Sequence, residues 1–384
     1  MRARIRLRPR VRSLRPVHPA AWLTPALAAA TTLAVVLVAV PRDGGGPPGG
    51  THDNSPGSAA AAAAPAPAGK AEPDARDVVL AVHGGAGTAL KRDETSPEKE
   101  KAYRDGLRRA LRAGQRVLDA GGSSTKAVEK AVRVLEDDPL FNAGKGAVFT
   151  ADAGHELDAS IMRGSDMKAG AVAGVKHVRN PITAARLVMD ETKHVLLAGQ
   201  GADDFAAQQG LKPVTQDYFY TQRRWDELMK AKGKQPVKDA TKGTVGAVAL
   251  DRKKDLAAAT STGGLTNKMA GRIGDSPVIG AGTYAKNSTV AASATGQGEV
   301  FIRGAATATI SDLMEFKGKD VASAAYQVLI ERLPKLGGDG GVIALDRAGT
   351  FDAPHSSEGM LTGYLTRDGQ LVTRIFQDES PPGR

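Results

Sequence analysis

The sequence predicts a layered α/β or α+β domain in which helices cover sheets built from small residues. Short apolar runs of strand length alternate with amphipathic helical patterns through residues 77–384. Aromatic residues form only 4% of the chain whereas hydrophobic residues form 41%, so the core has to be built from small aliphatic side chains.

The region opens with a strand and two helices. Residues 77–85 (DVVLAVHGG) have the pattern of a buried strand that ends in a glycine turn. Ser96-Pro97 is a helix start, and Gly121-Gly122 is the matching stop signal. A second helix is expected through Ala127–Leu135.

The remaining elements continue the alternation until a lysine-rich segment interrupts it. Residues 211–242 are polar and are expected to form a loop that is long for a compact domain. The other predicted elements are strands at 157–162, 170–175, 194–199, 245–251, 256–262, 291–296 and 341–346, and helices from 181, through 201–210 and through 321–333.

Residues 1–41 are predicted to be a signal peptide or an N-terminal membrane anchor. Seven arginines lie within the first sixteen residues, and an uncharged, largely apolar run follows from Ala20 to Val40. The run is long enough to span a bilayer and has no clean cleavage pattern, so removal and retention both stay open. In either case we expect the domain to be exported, as a secreted protein or tethered to the outer face of the membrane. Residues 42–76 are rich in Gly, Pro and Ala and predict a disordered linker.

Charge and cysteine content exclude several classes of protein. The net charge is +10, but residues 1–76 carry ten basic and four acidic side chains, so most of the excess lies outside the predicted domain. This distribution argues against nucleic-acid binding. The absence of cysteine excludes disulfides, thiolate zinc sites and a cysteine nucleophile.

Common catalytic motifs are also absent. The chain has no G-x-S-x-G elbow, no H-E-x-x-H zinc helix and no Walker A loop, and HGGAGT does not have the spacing of a dinucleotide site. No organic cofactor is therefore implied. His83 and His155 each lie beside a strand end, where a structural role is the favoured interpretation.

The Gly243-Thr244 pair offers a nucleophile that needs no histidine. An N-terminal threonine can pass its hydroxyl proton to its own α-amine, whose unperturbed pKa is about 8. This chemistry requires cleavage of the Gly243–Thr244 bond, which the threonine hydroxyl can itself start by attacking the preceding carbonyl carbon. Glycine tolerates the strained backbone angles that such an attack demands. Taken alone, G-T-V-G is equally typical of an ordinary strand start.

Five sequence blocks that occur in order favour the nucleophile over an ordinary strand start. Together they resemble the plant-type asparaginase and isoaspartyl-peptidase family of N-terminal-nucleophile hydrolases. The resemblance covers essentially all of residues 77–384 and implies a four-layer αββα sandwich, cut into an α-chain that ends at Gly243 and a β-chain that begins at Thr244. The blocks are VHGGAG (82–87), PLFNAGKGAVFT (139–150), HELDASIMRG (155–164), KGTVGAVALD (242–251), and ATSTGG...NKMAGRIGDSPVIGAGTYA (259–285) continuing to TGQGE (295–299).

The resemblance implies a catalytic role for each residue that matches a position of the family's motifs. The resemblance implies that Thr244 is the nucleophile and that Thr262 hydrogen-bonds it. It places Asn142 close to the nucleophile, and it assigns the oxyanion hole to Thr295 with the backbone N–H of Gly296. Such donors stabilise a developing charge by roughly 3–4 kcal/mol each.

The resemblance also implies a substrate site and a cation site. Arg272 and Asp275 would bind the α-carboxylate and α-ammonium of an aspartyl unit, a sensible match of charges, and Thr295, Gly296 and Gly298 would complete the site. A sodium ion would be held by backbone carbonyls, although an inward-facing Lys145 ammonium would compete with it. These carbonyls belong to Leu135, Glu136, Asp138, Phe141, Ala143 and Lys145.

The implied activity is hydrolysis of β-aspartyl dipeptides and of L-asparagine, by an assembly of two cut protomers, (αβ)2. Two sister specificities remain open: a glycosylasparaginase, and a threonine endopeptidase that acts on longer chains. A third alternative, from another class, is an unprocessed, tethered binding protein that keeps the fold without the chemistry.

Overall fold

The computed structural model describes residues 74–87, 90–233 and 243–379. The predicted leader and nearly all of the predicted linker therefore lie outside the described residues. Within the described part of the chain, no helix is both long and apolar enough to cross a membrane. Ala75 already pairs with Phe351, with N···O distances of 3.1 and 2.9 Å, so the described domain starts slightly before Asp77.

The described residues form twelve strands and eight α-helices. The strands are β1 (Val78–Ala86), β2 (Leu157–Arg163), β3 (Ala169–Val175), β4 (Leu196–Ala198), β5 (Val245–Leu250), β6 (Leu256–Thr262), β7 (Thr283–Ala285), β8 (Val290–Gly296), β9 (Gly340–Asp346), β10 (Phe351–Asp352), β11 (Met360–Thr366) and β12 (Leu371–Arg374). The helices are α1 (Pro97–Asp119), α2 (Ser124–Glu136), α3 (Pro181–Glu191), α4 (Gly199–Gln208), α5 (Gln222–Lys232), α6 (Gly298–Gly304), α7 (Ala306–Lys317) and α8 (Val321–Tyr326), which continues as a π-helical segment over Gln327–Arg332.

The strands form two sheets that face each other. The larger sheet has the order β12-β11-β1-β5-β6-β2-β3-β4, and the smaller has the order β10-β9-β8-β7. Helices α1, α2 and α3 pack on the larger sheet, whereas α7 and α8 pack on the smaller one. The layers therefore run helices, sheet, sheet, helices, which fits the αββα sandwich implied by the resemblance.

Alternation along the central strands decides which side chains enter which layer. Ala247 and Ala249 of β5 face the α1–α3 layer, whereas Val248 and Leu250 face the smaller sheet. By the same alternation, residues with even numbers on β6 point between the sheets. Thr244, immediately before β5, thus belongs to the space between the two sheets.

Several predicted elements are confirmed together with their boundary signals. Ser96 caps α1 by accepting from the Lys99 N–H at 3.2 Å, and Pro97 is its first residue. The glycine stop is also confirmed, because α1 ends at Asp119, just before Gly121. The predicted strands around 245–251, 256–262 and 341–346 are present with boundaries within one residue.

The prediction of a continuous loop over 211–242 was wrong. Helix α5 occupies Gln222–Lys232, and Thr221 caps it by accepting from the Arg224 N–H. Its buried face is formed largely by an ion pair between Arg224 and Glu227 rather than by an apolar stripe, so hydrophobic periodicity did not reveal it. Residues 234–242 lie outside the described residues.

Candidate active site

Thr244 lies at the entry to β5, where it is 6% exposed. Its hydroxyl donates to the Thr262 hydroxyl at 3.1 Å. Antiparallel pairing explains the contact, because Val245 faces Ser261 in the β5–β6 register and the next residues on either side are Thr244 and Thr262. Thr262 Oγ1 also accepts from the Gly264 N–H at 2.9 Å, which fixes the oxygen that Thr244 contacts.

The glycine turn at the end of β1 packs directly against the residue that precedes Thr244. Gly85 has φ +119°, and a Cβ added to it would lie 2.5 Å from the Gly243 Cα. Only glycine combines this backbone conformation with such a close approach. Gly243 is itself buried, so the Gly243–Thr244 peptide is enclosed by the protein.

Thr295 approaches Thr244 from the smaller sheet, at the end of β8. Its side-chain oxygen accepts from the Thr244 N–H at 3.3 Å and from the Ala86 N–H at 3.0 Å. Both contacts use the oxygen as an acceptor, so the hydroxyl proton can be donated to a third group. Gly296 follows with φ +147°, and a Cβ there would lie 2.5 Å from the Asp339 carbonyl oxygen. Thr295, the first member of the predicted oxyanion pair, therefore lies beside the predicted nucleophile.

Asn142 lies near Thr244, but its side chain forms hydrogen bonds with the turn at Gly264 and with Val148. Its amide donates to the Gly264 carbonyl at 2.7 Å, and its side-chain oxygen accepts from the Val148 N–H at 3.0 Å. The Asn142 Cβ would be 3.5 Å from a Cβ on Gly243. In the uncut chain Asn142 thus orders the Gly264 turn, on which Thr262 depends, rather than contacting the Thr244 hydroxyl.

Arg272 and Asp275 meet at the start of α6. A Cβ on Gly298 would lie 2.9 Å from Arg272 Nη2 and 2.9 Å from Asp275 Oδ1, so the predicted Gly298 is the point where both side chains converge. Arg272 binds Glu299 through Nε and Nη2, both at 3.0 Å. That bidentate pair orients the guanidinium and lowers the pKa of Glu299.

Asp275 is a buried carboxylate with an unsatisfied oxygen. It is 4% exposed, and within the described part of the chain Oδ2 has no hydrogen-bond partner. Burial raises the pKa of Asp275 to about 7, against the opposing effect of its own backbone N–H and of the Arg272 charge. A buried acceptor of this kind calls for a donor, and an ammonium group supplies one.

The six predicted carbonyl ligands lie on one segment, from the end of α2 through a tight turn. A Cβ on Gly144, where φ is +51°, would lie 2.3 Å from the Glu136 carbonyl oxygen, so this segment curls closely on itself. The carbonyls of Leu135, Asp138 and Ala143 already accept backbone N–H groups. Lys145 is exposed, with Nζ 5.9 Å from the Tyr218 ring centre, so its ammonium does not face inward. Among the described residues, no group of three or more His, Asp or Glu could hold a metal ion.

Sequence reasoning missed Glu299 as the partner of Arg272, although it lies within the TGQGE block. It also favoured a structural role for His83 and did not foresee a contact with Thr244. Within the site His83 donates to the Thr244 carbonyl, with an Nδ1···O distance of 2.9 Å. No local signal marks this contact, because 161 residues separate the two partners.

Comparison with known proteins agrees with this geometry. The sequence profile of the family described as asparaginase matches residues 76–375. An isoaspartyl peptidase of Salmonella typhimurium is 51% identical over 310 residues, which cover 78% of this chain and 99% of the relative. An isoaspartyl peptidase of Escherichia coli is 48% identical over 311 residues, covering 78% and 97%. A human isoaspartyl peptidase/L-asparaginase is 42% identical over 307 residues, covering 79% and 97%.

The family match covers nearly all of the described domain and includes both sides of the Gly243–Thr244 bond. The sequence blocks, the order of the layers and the similarity over nearly the full length of the relatives lead to the same conclusion: this chain belongs to the asparaginase family of N-terminal-nucleophile hydrolases.

Proposed function

We propose that this protein is an isoaspartyl peptidase with L-asparaginase activity, which cuts itself between Gly243 and Thr244. The observation that carries the proposal is the placement of the Thr244 hydroxyl, 3.1 Å from Thr262 Oγ1 and directly after a buried glycine. The relatives named isoaspartyl peptidase support the choice of substrate.

Self-cleavage begins when Thr244 Oγ1 attacks the Gly243 carbonyl carbon. The C–N bond breaks and the nitrogen takes up a proton, so the acyl group moves from nitrogen to oxygen as an ester. Water then hydrolyses the ester, which releases the Gly243 carboxylate and restores the hydroxyl. The product is a β-chain whose first residue carries both the nucleophile and a free α-amine.

Turnover uses the same hydroxyl with a new proton acceptor. The Thr244 amine takes the hydroxyl proton as Oγ1 attacks the side-chain carbonyl of the substrate, and the Thr295 hydroxyl and Gly296 N–H stabilise the oxyanion. The proton passes to the departing amine, which leaves as ammonia or as the second amino acid. Water cleaves the resulting aspartyl ester and frees aspartate. No organic cofactor enters these steps.

Substrate binding rests on two opposite charges. Arg272 would pair with the α-carboxylate through the edge that Glu299 leaves free, and Asp275 Oδ2 would accept the α-ammonium. L-asparagine and β-aspartyl dipeptides present the same aspartyl unit to these groups. One site therefore serves both substrates.

The first test is the intact mass of the purified protein under denaturing conditions, with N-terminal sequencing of each fragment. Two fragments are expected, one beginning Thr244-Val245-Gly246. β-Asp-Leu and L-asparagine should both yield aspartate, whereas a glycosylated asparagine and a longer peptide should not. A permanently uncut chain would overturn the mechanism and favour a binding protein, and release of sugar-linked product would favour a glycosylasparaginase.

The raised pKa of Asp275 predicts a pH dependence of substrate binding. Below about 7 the carboxyl is protonated and cannot pair with an ammonium, so kcat/KM should lose about tenfold per pH unit more than kcat does as the pH decreases. In the complex the ammonium keeps Asp275 ionised, so this titration should be missing from kcat. The Thr244 amine, in contrast, should titrate in both parameters.

Steady-state kinetics from pH 5 to 9 with β-Asp-Leu separate the two groups. In Asp275→Asn the additional acid limb of kcat/KM should vanish while KM rises at every pH. Identical acid limbs for kcat and kcat/KM in the unsubstituted enzyme would contradict the assignment of Asp275 to the ammonium.

Export and assembly also belong to the proposal. The arginine-rich leader and its apolar run support export of the protein, which would be either secreted or tethered to the membrane. Two cut protomers would form the (αβ)2 assembly.

A bound cation is the last part of the proposal. Carbonyl oxygens suit a hard cation such as sodium, and the backbone carbonyls of residues 135–145 would hold it in a structural role. Replacing sodium salts with those of a large organic cation should lower the melting temperature; no change would remove the cation from the proposal.

A further inference from the structure

A chain of buried polar side chains crosses the space between the two sheets beneath Thr244. His83, Thr260 and Ser160 extend from the larger sheet, and Ser293 and Thr283 extend from the smaller one. All five are fully buried, among neighbours that are mainly alanine and other aliphatic residues. We refer to these five side chains as the polar seam. Buried polar groups of this kind are stable only when their hydrogen bonds are satisfied.

The seam begins at the carbonyl of Thr244. His83 Nδ1 lies 2.9 Å from the Thr244 oxygen, and His83 Nε2 lies 2.8 Å from Ser293 Oγ. Burial lowers the pKa of His83 to about 3, so the ring is neutral and has a single proton at the pH of turnover. A carbonyl only accepts, so that proton is on Nδ1 and Ser293 donates to Nε2.

The direction of every later bond follows from this first one. Ser293 has one proton and gives it to His83, so Thr260 must donate across the 2.7 Å contact to Ser293. Thr283 in turn donates to Thr260, and Ser160 contacts Thr283 at 2.8 Å. The Thr244 carbonyl therefore sets the tautomer of His83, and the hydroxyls orient to match it.

The seam ends beside the substrate site. Ser160 also lies 2.6 Å from the carbonyl oxygen of Ser276, the residue after Asp275. Gly282 offers a second carbonyl, 3.2 Å from Thr260 Oγ1. Ser160 has one proton for its two oxygen partners, so the seam is a row of close polar contacts and not an unbroken relay of hydrogen bonds. The contacts reach from the backbone of the predicted nucleophile to the segment proposed to bind the substrate ammonium.

Thr244 depends on His83 because it lies beyond the pairing of β5. The first pair between β5 and β6 is Val245 with Ser261, and the last pair between β5 and β1 is Gly246 with His83. After cleavage no residue precedes Thr244, so its backbone loses the restraint that Gly243 supplies. The bond from His83 to the Thr244 carbonyl then remains as a direct restraint on the first peptide of the β-chain.

The absence of a side chain at Gly246 leaves room for the hydrogen bond between His83 and Ser293. A Cβ at this position would lie 2.0 Å from Ser293 Oγ and 2.3 Å from His83 Nε2. The hydrogen bond between those two side chains therefore passes directly over the Gly246 Cα. Any larger residue at position 246 would have to push the two partners apart.

We propose that His83 is a positioning residue, which holds the free N-terminal threonine of the cut enzyme in its reactive orientation, and that Ser293 fixes the orientation of the His83 ring through the bond to Nε2. The inference rests on the proposed function, since it assigns a role within that reaction. His83 does not touch the substrate and transfers no proton. Its contribution is to keep the Thr244 hydroxyl and amine aimed at the substrate, where a misplacement of about 1 Å can cost about 10²-fold in rate.

A matched pair of amides tests the proposal. In His83→Asn the side-chain amide nitrogen can occupy the position of Nδ1 and still donate to the Thr244 carbonyl. In His83→Gln the amide reaches the position of Nε2 and loses that contact. Both variants and the unsubstituted enzyme are followed by intact mass, by melting temperature, and by kcat and KM on β-Asp-Leu.

The expected result is that His83→Asn retains kcat within about threefold, whereas His83→Gln loses about 10²-fold in kcat with KM nearly unchanged. Failure of self-cleavage in His83→Gln alone would also support the proposal, because the same hydroxyl attacks Gly243. Equal kcat in all three proteins would overturn it, as would equal losses in both variants at unchanged melting temperatures.

Ser293→Ala decides the matter if His83→Gln fails to fold. It removes one hydroxyl and should lower kcat by about threefold to tenfold without changing KM, because the His83 ring then loses its hydrogen bond at Nε2 and its orientation is less restrained. An unchanged kcat in Ser293→Ala would overturn the proposal. An unsubstituted enzyme without activity on β-Asp-Leu would instead contradict the proposed function, which keeps the two failures apart.

Discussion

Thr244→Ala is expected to remain a single uncut chain and to release no aspartate from either β-Asp-Leu or L-asparagine. The same hydroxyl is required twice, first to attack Gly243 and then to attack the substrate, so both activities should disappear together. Removing one hydroxyl and one methyl group just before the start of β5 should leave the two sheets intact. Intact mass, aspartate release and circular dichroism check the three parts of this prediction.

Thr244→Ser is the matched control. Serine keeps the hydroxyl and, after cleavage, the N-terminal amine, but it lacks the β-branch that limits the rotamers of threonine. We expect it to cut itself more slowly and to turn over at a reduced kcat. A Thr244→Ala protein that still splits before residue 244, or that still hydrolyses the dipeptide, would show that another group is the nucleophile.

Thr295→Ala should lower kcat by about 10²–10³-fold while the fold is retained. The Thr295 hydroxyl has its oxygen fixed by the Ala86 and Thr244 N–H groups, and in the proposed mechanism its proton is donated to the developing oxyanion. Alanine also leaves the buried Ala86 N–H without this acceptor, so a destabilisation of about 1–3 kcal/mol is expected in addition. Steady-state kinetics and urea denaturation measure the two effects separately.

Thr295→Ser distinguishes the hydroxyl from the rest of the side chain. It should preserve most of kcat and most of the stability, because its oxygen can occupy the same position between the two N–H groups. If Thr295→Ala turned over at the rate of the unsubstituted enzyme, Thr295 would have to be removed from the oxyanion hole.

The strands that carry the site were predictable because their signals are local. Short apolar runs of small residues mark β5 and β6, and one register then places Thr244 beside Thr262. Helix α5 was not predictable in this way, since the side chain of Arg224 is buried through an ion pair that an apolar pattern does not reveal.

Contacts between distant segments were the least accessible to sequence reasoning. The bond between His83 and Ser293 joins residues 210 positions apart on different sheets, and it exists only once the sheets have packed. The pairing of Arg272 with Glu299 likewise depends on where α6 begins. The resemblance supplied the individual site residues, whereas the supporting contacts needed the three-dimensional arrangement.

The strand order of the larger sheet has a consequence for how the cut protein unfolds. Three neighbouring pairs, β11 with β1, β1 with β5, and β6 with β2, each join a strand that precedes Gly243 to a strand that follows it. Breaking the Gly243–Thr244 bond therefore nicks the molecule without dividing it, and the two polypeptides separate only when the sheet is lost. Unfolding changes from a unimolecular event in the intact chain to a dissociation in the nicked one, so the midpoint of thermal denaturation becomes dependent on protein concentration.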